Sequence, residues 1–218
     1  MTQLPPAPVG TSTAPKAVSK EVGEFLQHYQ ETLSLLDLRA VDGILECLMD
    51  VWRNQRMVFV MGNGGSASTA SHFAADLAKY TIVGGKPRFR VLGLTDNIPL
   101  VSAWTNDGGF SSVFVEQMSA WLEADDVLVG FSVHGGSGSG DAGPWSQNMV
   151  RAMHAAKQAG AAVIGFSGFD GGAMAQMADH VVVVPVPVDE LGTPIVESVH
   201  VFLHHLIVHR LRERIKRD

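Results

Sequence analysis

Short apolar runs punctuate the chain from residue 57 onward: MVFVM (57–61), FRVLGL (89–94), DVLVGF (126–131), AAVIGF (161–166) and HVVVVPV (180–186). None shows the clean alternation of a half-exposed strand. Continuous runs of this length suit strands covered on both faces. Helical patterns lie between most of them, at 66–80, 110–122, 145–159 and 171–178, and a long amphipathic helix closes the chain at about 192–216. Two amphipathic helices lead into the first run. Val22, Phe25, Leu26, Tyr29, Leu33 and Leu36 recur at spacings of three and four over 20–36, and Val41, Ile44, Leu45, Leu48, Met49 and Trp52 do so over 38–54. Residues 1–18 are rich in Pro, Ala, Thr and Ser and read as a disordered arm. Strand and helix alternate through the rest, so residues 19–218 are expected to form one α/β domain. Its core would be a doubly wound, five-stranded parallel sheet flanked by helices.

Composition narrows the function classes. The chain has 218 residues, 46% hydrophobic and 17% charged, in the range of a folded globular domain. Its formal net charge of −6 speaks against a general nucleic-acid backbone binder. No apolar run approaches the ~20 residues that span a bilayer, so no membrane partner is expected. Residues 1–18 lack the apolar stretch of a secretory signal. The single cysteine, Cys47, excludes an internal disulfide and favours a reducing compartment. The expected location is the cytoplasm.

The chemistry sits where strands end. Ligands of doubly wound sheets bind there, and two of these junctions are rich in glycine and serine: GNGGSAS (62–68) and SVHGGSGSG (132–140). Glycines let the backbone turn sharply and approach a ligand. Ser66 falls where a helix begins, with its free N–H groups outward, which suits phosphate. A plain Ser-capped turn is the competing reading. Gly62, Gly64 and Ala67 also satisfy G-x-G-x-x-A, the dinucleotide fingerprint, but the acidic partner about 20 residues on is missing; Asp96 comes too late. No Gly-Lys-Ser/Thr follows, so a Walker loop is excluded. The second loop offers Ser132, His134, Ser137 and Ser139. Neither loop holds Lys or Arg, so backbone N–H groups, hydroxyls and helix dipoles would carry the phosphate. His72 and Asp76 share a helix face at a spacing of four, and Glu197, His200, His204 and His205 gather on the last helix. A pair from each helix gives two imidazoles and two carboxylates, donor types that suit zinc or a similar divalent ion. Any one of these histidines alone is more often a packed or capping residue.

Together these pieces resemble the sugar isomerase (SIS) domain family. GNGGSASTASHFAADL is similar to the phosphoheptose isomerases, which convert sedoheptulose 7-phosphate to D-glycero-heptose 7-phosphate. TNDGGF (105–110), FSVHGGSGSG, GFSGFDGGAMAQMADHVVVVP and VESVHVFLHHLI resemble further segments of that group. The resemblance runs from about residue 20 to the C-terminus. It implies that Asn63, Gly64 and Ser66 touch substrate at the first loop and that Ser132, His134 and Ser137 do so at the second, with Ser66, Ser132 and Ser137 on the phosphate. Asp107 would reach the sugar hydroxyls. The family's zinc ligands fall on His72, Asp76, Glu197 and His205, with Glu197 also facing substrate, and its acid/base pair on Asp76 and His205. It also implies a homotetramer.

Four positions depart from the family pattern: His134 and Gly136 replace more usual polar residues in the phosphate loop, where a protonated His134 would add charge toward the phosphate, and two more lie among the expected ligands. Asp76 stands where Glu is usual, a side chain shorter by about 1.5 Å. Glu197 stands where Gln is usual. The expected activity is an aldose–ketose isomerisation through an enediol, with a phosphorylated sugar as substrate. Three alternatives stay open. One is a related heptose or octose phosphate in natural-product biosynthesis. Another is a non-catalytic SIS protein that binds the bacterial DNA-replication initiator. The last, from the glycine fingerprint alone, is an NAD(P)-dependent oxidoreductase.

Overall fold

A computed structural model of the chain describes residues 18–136, 145–186 and 189–218. Helices α1 (Lys20–Leu35) and α2 (Arg39–Arg53) lead into strand β1 (Met57–Gly62). Then come α3 (Gly65–Lys79), β2 (Arg90–Gly93), α4 (Ile98–Gly108), α5 (Val113–Ser119) and β3 (Val127–Phe131). The chain closes through α6 (Gln147–Ala159), β4 (Ala162–Gly168), α7 (Gly172–Met177), β5 (His180–Val184) and α8 (Gly192–Arg217). All four strand pairs are parallel and the order is β2-β1-β3-β4-β5. The five expected strands and the doubly wound parallel sheet are therefore present.

The apolar runs are continuous because each strand feeds two cores. Val58, Val60, Val127 and Val129 point to one face, packed by α2, α3 and α8. Phe59, Met61 and Leu128 point to the other, packed by α5, α6 and α7. Helix α2 shows why the periodicity was readable: Val41, Ile44, Leu45, Leu48, Met49, Val51 and Trp52 are all buried on one stripe. Helix α4 is a departure from the sequence expectation, which placed no helix over 98–108. It fully buries none of its residues, and only Val101 and Trp104 lean on the core, too short a stripe to read. What starts it is local: Asn97 accepts from the Leu100 N–H at 3.2 Å and Pro99 sits in its first turn.

This order puts β1 and β3 side by side, with their crossovers leaving in opposite directions. That is the switch point at which open α/β sheets hold ligands beyond the strand ends. The two glycine-rich segments follow β1 and β3 and so flank it. Helix α8 packs along α3 over one face, which brings the last helix to the helix that opens at the first loop.

Candidate active site

The first loop turns at Gly64, whose φ of +57° favours glycine. Helix α3 begins at Gly65, and Ser66 is buried in its first turn. A side chain at Gly62 would run into the backbone of Ser66, so the turn closes tightly on itself. Asn63 is held sideways by a reciprocal amide pair. It donates to Asn148 Oδ1 at 3.0 Å and accepts from Asn148 Nδ2 at 2.8 Å. It also donates to Ser146 Oγ at 3.3 Å. The substrate role expected for Asn63 would thus act through a side chain fixed to the start of α6, a tie with no signal in the sequence.

At the second junction the hydroxyl of Ser132 is buried and accepts from the Gly135 N–H at 3.1 Å. The His134 ring stacks on Phe169 at 4.5 Å between centroids and meets Trp145 edge-on at 5.1 Å. Gly135 and Gly136 both have positive φ. Ser137 and Ser139 lie outside the described residues. Asp107 sits exposed near the C-terminal end of α4 and accepts from Asn106 Nδ2 at 2.7 Å. It is not among the clustered groups described next.

Four side chains converge between α3 and α8. Asp76 Oδ2 lies 2.8 Å from His204 Nε2, 3.5 Å from His205 Nδ1 and 3.7 Å from His72 Nε2. One ligand atom from each of the four lies within 4.8 Å of the others. Spacing of four puts His72 and Asp76 on one face of α3, and α8 supplies two adjacent histidines. Of the side chains, His72 is 50% exposed and His205 53%, whereas His204 is wholly buried. Burial pushes the His204 ring down to about 4, against the pull of its hydrogen bond to Asp76, and the neighbouring His205 and His72 push the same way. It is neutral at physiological pH, the form that binds metals.

The donor set fits a divalent ion. Tetrahedral zinc with bonds of about 2.0–2.2 Å sets neighbouring donors about 3.3–3.6 Å apart. The distances from Asp76 to the three imidazoles bracket that value. Of the four expected ligands, His72, Asp76 and His205 come together. Glu197 does not join them. It lies seven residues before His204 on α8, and its carboxylate packs on Gly65 at the start of α3, where a side chain would collide with it. There it lines a hollow of about 340 Å³ with Gly65, Ser68, Thr69 and His72. The sequence grouped His204 with its neighbours on α8 but did not place it in the ligand set.

Comparison with known proteins gives the family. The SIS domain family model matches residues 20–168. The lincomycin biosynthesis protein LmbN of Streptomyces lincolnensis is 49% identical over 162 residues, 74% of this chain. The match spans only 58% of LmbN's own length. The phosphoheptose isomerase of Sulfurimonas denitrificans is 30% identical over 91% of this chain and 94% of its own. Among solved structures, the phosphoheptose isomerase GmhA of Neisseria gonorrhoeae superposes with a TM-score of 0.71 at 30% identity, covering 88% of this chain and 94% of that one. The chain belongs to the SIS domain family, on its phosphoheptose isomerase branch.

Proposed function

We propose that the protein is a phosphosugar isomerase that interconverts sedoheptulose 7-phosphate and D-glycero-D-heptose 7-phosphate. The observation that carries this reading is the layout of α3. Its N-terminus is the first glycine loop, and its second turn begins a cluster of proton-carrying and metal-type side chains. Seven residues separate Gly65 from His72, about 10.5 Å along a helix. An extended heptose phosphate measures roughly 9–10 Å from its carbonyl end to phosphorus, from C–C bonds of ~1.5 Å. One substrate can therefore rest its phosphate at the loops and its reacting carbons at the cluster.

The residues then divide the work. N–H groups at the start of α3, with Ser66 and Ser132, bind the phosphate, and Ser137 joins them by resemblance. That remote binding energy positions the reacting carbons. His72, Asp76 and His205 are the three ligands of a divalent ion, zinc by resemblance. When bound, such an ion supplies positive charge that polarises the substrate's carbonyl and neighbouring hydroxyl. Isomerisation removes a proton from the carbon beside the carbonyl, protonates the carbonyl oxygen to give an enediol, and then reverses both transfers on the other carbon. His205 turns Nδ1 to Asp76; with that nitrogen given to the ion its proton sits on Nε2, so the ring takes up the substrate's proton only when Nδ1 leaves the ion, or through a water. Asp76 uses Oδ2 toward the imidazoles, and Oδ1 remains for the second proton. His134 belongs with the phosphate loop, and Asp107 and Glu197 contact the sugar.

The reading includes a homotetramer in the cytoplasm and one domain over residues 19–218. Exposed apolar side chains on α1 support the oligomer, and the free Cys47 is compatible with a reducing compartment. A second reading, a heptose or octose phosphate of natural-product biosynthesis, is favoured by the similarity to LmbN and by the Asp76 and Glu197 departures. One more carbon lengthens the substrate by only roughly 1.3 Å, which the same layout accepts. Isomerase assays on the seven- and eight-carbon ketose phosphates, run side by side, separate the two.

A further inference from the structure

We infer that His204, not Glu197, is the fourth ligand of the divalent ion in this chain, making a site of three imidazoles and one carboxylate. This rests on the isomerase reading above for the presence of the ion, and on the structure for the choice of ligand. His204 points its Nε2 into the cluster, 2.8 Å from Asp76, and packs its ring against those of His72 and His205 at 4.4 and 4.1 Å between centroids. Its face of α8 is otherwise core: Leu203, Ile207 and Val208 beside it are buried. An aliphatic residue there would complete that core. The imidazole instead leaves Nδ1 buried with no partner among the described residues, which is unfavourable. The hydrogen bond to Asp76 satisfies Nε2 alone and leaves Nδ1 as it is. A metal bond at Nε2 gives the buried ring a reason to be there.

The shorter carboxylate fits the same picture. Asp76 keeps its oxygen close to α3, and a ligand that approaches from the buried side of α8 meets it there. Glu197 cannot do so from its place. It lies about 10.5 Å up the helix axis from His204, against the first residue of α3. Along α3, His72 falls between Gly65, where Glu197 packs, and Asp76, and it borders the hollow that Glu197 lines. The carboxylate is therefore free of the ion and presented to whatever enters the hollow beside Ser68 and Thr69.

The test is cobalt(II) titration of the metal-stripped full chain, with the visible absorption of the bound ion as readout and a chelator competition for affinity. The variants are His204→Leu, His204→Gln and Glu197→Gln, with circular dichroism as a folding check. Loss of a true ligand should weaken cobalt binding more than about 100-fold, beyond the 10–100-fold typical of losing an outer partner, and should change the spectrum. Both His204 variants are expected to do this, and Glu197→Gln should keep the spectrum and stay within about threefold in affinity. If His204→Leu fails to fold, the spectra of His204→Gln and Glu197→Gln decide. A changed Glu197→Gln spectrum, or folded His204 variants with wild-type spectra, overturns the assignment. Wild-type protein that binds no cobalt overturns it too, along with the metal part of the proposed function. The isomerase assay, read separately, shows whether the reaction survives that failure.

Discussion

Asp76 is the residue on which the cluster turns: a single oxygen faces three imidazoles, one of them wholly buried. Replacing it with Ala should remove both a ligand and a proton carrier and lower turnover by at least about a hundredfold, with circular dichroism unchanged. Turnover within tenfold of wild type would remove Asp76 from the chemistry. His205→Ala should act similarly, because its ring is half exposed and packs no core. A different prediction attaches to His200. Burial pushes this ring down to about 4, partly opposed by its hydrogen bond to the Ser167 carbonyl. A histidine depressed in the fold takes its proton first in the unfolded chain. Its stability contribution is intact above about pH 6.5, drains as pH falls from there, and levels off near 4. The loss amounts to roughly 3 kcal/mol. Urea midpoints at pH 7.5 and 5 should differ less in His200→Leu than in wild type; equal differences would contradict the account. At this scale the sequence was readable where spacing carries the geometry, as for His72 and Asp76. It was not readable for His204, whose buried position among aliphatic residues looks like core, nor for Glu197, whose place depends on how α8 crosses α3.

Among the elements, the strands were legible because burial on both faces leaves an unbroken apolar run. Helix α4 was not, because no residue of it is fully buried. The glycine loops stood out in composition, yet the lock between the second of them and the turn after β4 needed the fold. Gly135 has a φ of +71°, and a side chain there would strike the backbone of Gly171, across from it after β4. Met174 N–H in turn donates to the Gly135 carbonyl at 2.8 Å. Gly135→Ala therefore has to move one loop against the other. A destabilisation of about 1–3 kcal/mol in denaturant unfolding is expected, with a weaker affinity for inorganic phosphate as a competitive inhibitor. An unchanged midpoint would show that the loops are not locked together.

For the whole molecule, apolar surface is the informative quantity. Val22 and Leu26 are 52% and 49% exposed although they continue the stripe of α1 on which Phe25, Tyr29 and Leu33 pack against the core, and Leu35 and Leu38 follow at its end. A patch of this kind marks an interface more often than a solvent face. Light scattering should give four times the chain mass, and Val22→Glu with Leu26→Glu should lower it; a wild-type monomer would contradict the tetramer. The half-exposed His72 and His205 lie open in a single chain.

The central claim joins the two glycine loops and the histidine–aspartate cluster into one isomerase site, and one assay tests it most directly. Purified protein is incubated with sedoheptulose 7-phosphate as isolated, after chelation, and after zinc is restored, and the aldose phosphate is measured. The account predicts product that chelation abolishes and zinc returns. Turnover indifferent to chelation would contradict the role given to the cluster, and no turnover under any of the three conditions would contradict the substrate itself.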